Sequence, residues 1–133
     1  MRKILALALL LGCGGQGLSA AEEITVPSGQ PVTFIDVIHD APGPDGLTYR
    51  FRFLAPEIAR AKRKISTDQA ADDMTALCNS YAVGQMSNVG PVPSQIVISL
   101  SDRVVPFGEP DPDATQYFQA YHIDNGACVW DGF

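Results

Sequence analysis

Long hydrophobic runs are missing from this chain of 133 residues, since its longest apolar stretch is Ile4–Leu11. A membrane-spanning helix needs about 20 apolar residues, so no bundle of such helices is predicted. Residues 22–133 also lack a nucleophile elbow, a P-loop, H-E-x-x-H and C-x-x-C. Asp72 and Asp73 are neighbours on a predicted helix, where adjacent side chains point apart, so they do not form an acid–base pair. The sequence therefore predicts no enzyme and no cofactor.

Positive charge is scarce, with nine basic residues against 15 acidic residues and a formal net charge of −6. An acidic protein does not bind nucleic acid by neutralising its phosphates, so no nucleic-acid partner is predicted. The composition, 46% hydrophobic and 18% charged, is typical of a single globular domain.

The N-terminus has the three parts of a secretory signal peptide: the basic pair Arg2 and Lys3, the apolar stretch Ile4–Leu11, and small residues that end at Ala20 and Ala21. Cleavage after Ala21 leaves a single domain, residues 22–133. Its charge is −8, because Arg2 and Lys3 are removed and all 15 acidic residues stay. The sequence thus predicts a periplasmic or secreted protein.

The same segment has a second interpretation. The string Leu-Leu-Gly-Cys that ends at Cys13 resembles the lipobox of bacterial lipoproteins, in which the cysteine is lipidated and becomes the first residue. Lipidation would anchor the protein to a membrane. We expect cleavage near Ala21 instead, with the lipoprotein as the alternative.

Only two cysteines, Cys78 and Cys128, follow the predicted leader. In an exported domain such a pair is expected to form a disulfide bond, with two free buried thiols as the alternative. The loop that this bond closes is long, so the bond would contribute roughly 4 kcal/mol to stability.

Alternation of apolar and polar residues predicts an α+β fold, a mostly antiparallel sheet of about five to seven strands with one main helix packed on it. In the clearest strand, aromatic residues such as Phe51 and Phe53 alternate with Arg50 and Arg52. The other predicted strands cover residues 32–39, 95–100, 116–123 and 127–130, and residues 104–107 either continue the strand 95–100 or form a short neighbour.

The main helix is predicted over residues 67–82. Ser66 and Gln69 have the spacing of a capping box at its start. Gly84 is expected to end it.

The dipeptide Asn125-Gly126 predicts a two-residue hairpin turn. Such a turn places Ile123 opposite Cys128 and Tyr121 opposite Trp130, on the side that the helix and Cys78 cover. A three-residue loop through Asp124, which would place Cys128 beside His122 and Phe118, is the alternative.

Two clusters of charged residues are candidate surfaces for a partner. The basic cluster either docks an acidic partner or balances the acidic helix start at Asp68, Asp72 and Asp73. The acidic loop 108–113 either solubilises the surface or, as an inhibitor, steers the protein towards a basic cell-wall hydrolase such as a lysozyme. The first cluster comprises Arg50, Arg52, Arg60, Lys62, Arg63 and Lys64, and the second comprises Glu109, Asp111 and Asp113.

No metal site is predicted. The two histidines, His39 and His122, have acidic neighbours but not the spacing of a known zinc pattern. Prolines interrupt the acidic loop, in which a calcium loop of the EF-hand type needs a glycine and a distant glutamate.

Three blocks of the chain, Pro27–Pro31, Asp40–Pro56 and Ser94–Glu109, resemble a family of small exported alphaproteobacterial proteins that is known only as a domain of unknown function. The resemblance covers most of the chain after the leader. It implies export and one compact domain, and it assigns no catalytic residue.

Together these features predict a non-catalytic exported protein that interacts with a protein of the cell envelope, and residues 22–133 contain no predicted transmembrane segment.

Overall fold

The computed structural model describes residues 22–39, 42–43 and 46–133, and within them six strands form. Their order in the sheet is β1-β3-β4-β5-β6, and β2 pairs only with β3. Strands β3 and β4 run parallel and the other pairs are antiparallel, which confirms the predicted mostly antiparallel sheet. The strands are β1 (Thr33–Ile38), β2 (Pro42–Gly43), β3 (Gly46–Leu54), β4 (Gln95–Ser101), β5 (Gln116–Asp124) and β6 (Ala127–Trp130). The predicted signal peptide and Cys13 lie outside the described residues.

The helical segment connects the parallel strands β3 and β4, which need a long crossover. It begins with the predicted capping box: the backbone N–H of Gln69 donates to Ser66 Oγ at 3.1 Å, and that of Ser66 donates to Gln69 Oε1 at 3.0 Å. Helix α1 (Thr67–Leu77) continues through a π-helical turn (Cys78–Ala82) into helix α2 (Val83–Val89), and a short 3₁₀ turn (Pro56–Ile58) precedes it. No helix of the described residues is long and apolar enough to cross a membrane.

The expectation that Gly84 ends the helix is wrong, because the helix continues to Val89. A glycine inside a helix costs only about 1 kcal/mol relative to alanine, and Met86 and Val89 of α2 pack against the core. The end comes at Gly90, which has a φ of +156°, and a Cβ there would lie 3.2 Å from Tyr49 Oη. The close approach of Tyr49 explains the glycine at this position, and Pro91, which follows it, disfavours a helical conformation at residue 90.

The hydrophobic core lies between the helix and one face of the sheet. Alternate residues of β3, β4 and β5 point towards the helix, which explains the period-two pattern of the sequence. The aromatic rings of Phe34, Phe53 and Tyr81 contact one another at the edge of this core, with centroids 5.0–5.7 Å apart. Buried members of the core include Tyr49, Phe51, Phe53, Met74, Leu77, Ile96, Ile98, Leu100 and Tyr121.

The predicted hairpin and disulfide are both confirmed. Ile123 pairs with Cys128 and Tyr121 pairs with Trp130. Both turn residues have positive φ, 52° at Asn125 and 79° at Gly126, as a type I′ turn requires. Cys78 and Cys128 are joined by an S–S bond of 2.08 Å, so the helix is linked covalently to β6.

Residues 104–107 form no strand, contrary to expectation, and β4 ends at Ser101. Pro106 has no N–H to give to a strand ladder. The carbonyl of Val105 accepts a hydrogen bond from Arg52 Nη1 at 2.7 Å instead. This contact holds the segment over the face of the sheet that points away from the helix.

Candidate functional site

The face of the sheet that points away from the helix is called the open face, because no helix of the described residues covers it. Strand register brings residues of three neighbouring strands together there: Arg52 pairs with Ser99, and Ser99 pairs with Phe118. His122 and Val129 continue the face across β5 and β6. The open face is defined by Asp36, Arg50, Arg52, Ser99, Phe118, His122 and Val129.

The loop between β4 and β5 lies against one end of the open face and bounds a cavity of about 210 Å³. The sheet forms its floor and residues 105–109 form one wall. We call this cavity the Arg50 cleft. Its lining includes Arg50, Arg52, Ser99, Phe107, Glu109 and Gln116.

All three nitrogens of the Arg52 guanidinium donate hydrogen bonds inside the domain. Its Nε and Nη2 donate to the two carboxylate oxygens of Asp36 at 2.7 and 2.9 Å, and its Nη1 donates to the carbonyl of Val105 at 2.7 Å. The hydrogen bond to Asp36 raises the pKa of Arg52, although partial burial acts in the opposite direction. This side chain therefore joins β1, β3 and the loop, and its charge is balanced.

Arg50 lies two residues away on the same face and has a different environment. Its guanidinium carbon lies 5.7 Å from the ring centroid of Phe118 and 5.9 Å from that of Phe107. Its one hydrogen bond to a described residue is a long one, 3.4 Å from Nη1 to Ser99 Oγ, and no carboxylate of the described residues forms an ion pair with it. Burial, and secondly the charge of Arg52, lower the pKa of Arg50.

The contrast between the two arginines shows what the cleft can do chemically. A guanidinium has five N–H donors and its preferred partners are carboxylate and phosphate oxygens. Aromatic rings attract the charge but provide no oxygen acceptor. Arg50 therefore presents a partly desolvated positive charge with unused donors, in a position fixed by β3.

Two exposed aromatic side chains flank this charge: Phe107 is 44% exposed and Phe118 is 55% exposed. Val129, which is 39% exposed, lies farther along the open face, where β6 pairs with His122 of β5. Arginine and aromatic residues are enriched at the centres of protein–protein interfaces. Arg50 was predicted from the sequence as a candidate residue, whereas Phe107 and Phe118 were not. The outward parity of Phe118 in its strand was the signal that could have found it.

The other end of the open face is polar. His122 Nδ1 lies 2.5 Å from Asp131 Oδ1, and Gln95 Nε2 donates to the second oxygen of that carboxylate at 3.1 Å. His39 follows β1, which is three strands away from β5 in the sheet. The described residues contain no group of three or more histidines, cysteines or acids that could hold a metal ion.

The predicted basic cluster is divided between two places. Arg50 and Arg52 are on the open face, whereas the other four basic residues lie in the segment before α1. There Lys62 and Lys64 both pair with Glu57, at 3.0 and 2.9 Å. Arg60 Nη2 donates to the carbonyl of Ala114 at 3.0 Å, and Arg63 occupies a turn with a φ of 52°.

The expected balance between the basic cluster and the helix start is wrong for Lys62 and Lys64. Glu57, not the helix, pairs with the lysines. Asp73 is fully buried, and its carboxylate accepts hydrogen bonds from the backbone and hydroxyl of Ser28 and from Gln30 Nε2. This carboxylate attaches the N-terminal turn to the helix.

The three acids of the loop 108–113 do not act as one group. Glu109 lines the Arg50 cleft. Asp111 and Asp113 contribute to the raised pKa of Arg103, whose main cause is its hydrogen bond to Asp102. Asp111 Oδ1 also accepts the backbone N–H of Asp113 at 3.1 Å. Inhibition of a basic hydrolase by this loop stays a prediction.

Residues 11–133 match the profile of a family of unknown function (DUF6497). No curated protein and no solved structure matches the chain. Because the match extends over nearly the whole sequence, this chain belongs to that family of unknown function.

Proposed function

We propose that this protein is a non-catalytic, exported interaction protein that uses its open face to bind an acidic and partly apolar segment of a cell-envelope protein. One observation carries the proposal: Arg50 is a partly buried cation without a carboxylate partner among the described residues, and it lies beside the exposed rings of Phe107 and Phe118. Such a combination stabilises a complex when a partner supplies the missing acceptor and covers the rings.

The charge of the whole chain supports an acidic partner at this place. The protein has a formal charge of −6, so most of its surface repels other acidic proteins. Arg50 offers a local positive site within that acidic surface. A complementary charge at one site fixes the orientation of a partner more than it increases the total affinity.

The strand edges of the sheet are less suited to binding than the open face. A free edge can pair with an added strand. At the β6 edge, however, Asn79 Oδ1 accepts the backbone N–H of Cys128 at 2.9 Å. At the β1 edge, Glu23 bridges to Thr33, and the N–H of Ile24 donates to the carbonyl of Val32 at 2.8 Å. Both edges are therefore partly occupied by the chain itself.

Site-specific photo-crosslinking in the exporting cell tests the proposal. A photoreactive phenylalanine replaces Phe118 on the open face or, as the matched control, the exposed Asp72 on the helix. We expect a specific crosslinked product from position 118, weakened by Val129→Ser, and none from position 72. Equal products from both positions, or none from position 118, would contradict the proposed function.

Export is proposed together with this role, and it has its own test. Intact mass of the protein recovered from the cell envelope should correspond to a chain that begins at Glu22 or at Ala21. A mass that corresponds to a diacylglyceryl group on Cys13 would show that the lipoprotein signal is the one used.

A further inference from the structure

We propose that the Arg50 cleft is a specific carboxylate site that takes the C-terminal residue of the partner, its free carboxylate on Arg50 and its apolar side chain against Phe107 and Phe118. The inference rests on the proposed binding role of the open face and names the chemistry of the group that enters it. It follows from three properties of the cleft, which are its charge, its walls and its size.

The charge of the cleft favours a monoanion. The positive charge of Arg52 is paired with the carboxylate of Asp36, which accepts two hydrogen bonds from the guanidinium. Glu109 adds a negative charge to the lining. Arg50 is thus the one cation of the lining without an ion pair to the described residues. A carboxylate carries one negative charge, which Arg50 alone can pair, whereas the double charge of a phosphate monoester would leave one charge unpaired beside Glu109.

The walls of the cleft and the ring beside it favour an apolar group bonded close to that carboxylate. Phe107 lines the cleft, and Phe118 lies next to Arg50 on the open face. The guanidinium of Arg50 lies within 6 Å of two ring centroids, so a group on Arg50 is also within reach of both rings. In a C-terminal residue the carboxylate and the side chain are attached to the same carbon atom. An apolar C-terminal side chain can therefore pack on Phe107 or Phe118 while its carboxylate accepts hydrogen bonds from Arg50 and Ser99.

The size of the cleft favours the end of a chain. Its volume is about 210 Å³, and it is bounded by the sheet and by residues 105–109. A carboxylate and one apolar side chain fit in this space, and a single C-terminal residue supplies both. An internal aspartate or glutamate would have to bring both flanking segments past the loop.

Titration of the exported, purified protein with N-acetylphenylalanine tests the inference, followed by the NMR signals of the Arg50 side chain and of the Phe107 and Phe118 rings. The control ligand, N-acetylphenylalaninamide, has the same shape without the charge. We expect saturable shifts of these signals with the acid and at least about tenfold weaker binding of the amide, because a hydrogen bond to a charged group is worth about one tenfold step or more.

Two variants with the same loss of charge locate the site. Arg50→Gln is expected to weaken binding of the acid about tenfold or more, whereas Arg63→Gln, in an exposed turn outside the cleft, is expected to leave it unchanged. Equal binding of acid and amide, an unchanged affinity in a folded Arg50→Gln protein, or tighter binding of phenyl phosphate would overturn the inference. The comparison of acid with amide needs no variant, so it decides even if Arg50→Gln fails to fold.

The titration tests the carboxylate site and the crosslinking experiment tests the protein partner, so a negative result in one does not decide the other. Acid-selective binding without a crosslink from position 118 would keep the carboxylate site and remove the proposed protein partner. A crosslink from position 118 without acid-selective binding would keep the interaction surface and remove the carboxylate site.

Discussion

Replacement of both Cys78 and Cys128 with alanine is expected to lower the free energy of unfolding by about 4 kcal/mol. The two cysteines are 50 residues apart in the sequence. A bond across so long a loop removes many conformations from the unfolded chain, and the chain-entropy relation gives this magnitude. Alanine is preferred to serine because Cys78 is fully buried among apolar residues, where a hydroxyl without a partner is costly.

Urea denaturation of the double variant and of the unmodified protein measures this difference. The unmodified protein in a reducing agent is the control, and its midpoint should approach that of the double variant. A loss below about 1 kcal/mol would show that the bond constrains little of the unfolded chain. Hydrogen exchange should also become faster in β6, because the bond is the covalent link between this four-residue edge strand and the helix.

The second large effect is expected at Asp73, where Asp73→Ala should lower the free energy of unfolding by about 3 kcal/mol. Its carboxylate is fully buried. It accepts hydrogen bonds at 2.9 Å from Ser28 N, 2.6 Å from Ser28 Oγ and 2.8 Å from Gln30 Nε2. Alanine would leave these donors without their acceptor, which costs more than the net worth of the bonds themselves.

The neighbouring residue provides a matched control for this measurement. Asp72→Ala removes the same side chain from an exposed position of the same helix turn, so a change within about 0.5 kcal/mol is expected. Urea denaturation of both variants gives the comparison. Equal losses at the two positions would show that helix charge, and not the buried contacts to Ser28 and Gln30, accounts for the effect.

Local signals predicted those parts of the fold that depend on nearby residues. The capping box at Ser66 and the turn at Asn125-Gly126 involve partners three or fewer residues apart, and both were found as predicted. The predicted end of the helix at Gly84 was wrong because Met86 and Val89 pack against the core, a distant contact that outweighs the low helix propensity of glycine. The sequence of residues 104–107 is typical of a strand. In the structure, however, the carbonyl of Val105 accepts a hydrogen bond from Arg52, which is 53 positions away in the sequence.

The sequence likewise predicted only part of the candidate site. Alternation in β3 placed Arg50 and Arg52 on one face, opposite the aromatic core. The sequence could not distinguish the two arginines, because the difference comes from Asp36 and Val105, which reach only Arg52. Phe107 and Phe118 belong to the site through strand register and loop placement, and neither is visible from the residues near Arg50.

The most direct test of the open face as the binding surface is the yield of the crosslink from position 118 in two charge variants. The account predicts a yield in Arg63→Gln equal to that of the unmodified protein, and a yield in Arg50→Gln reduced by about tenfold, the loss that one charge-assisted hydrogen bond implies. An undiminished yield in Arg50→Gln would contradict it.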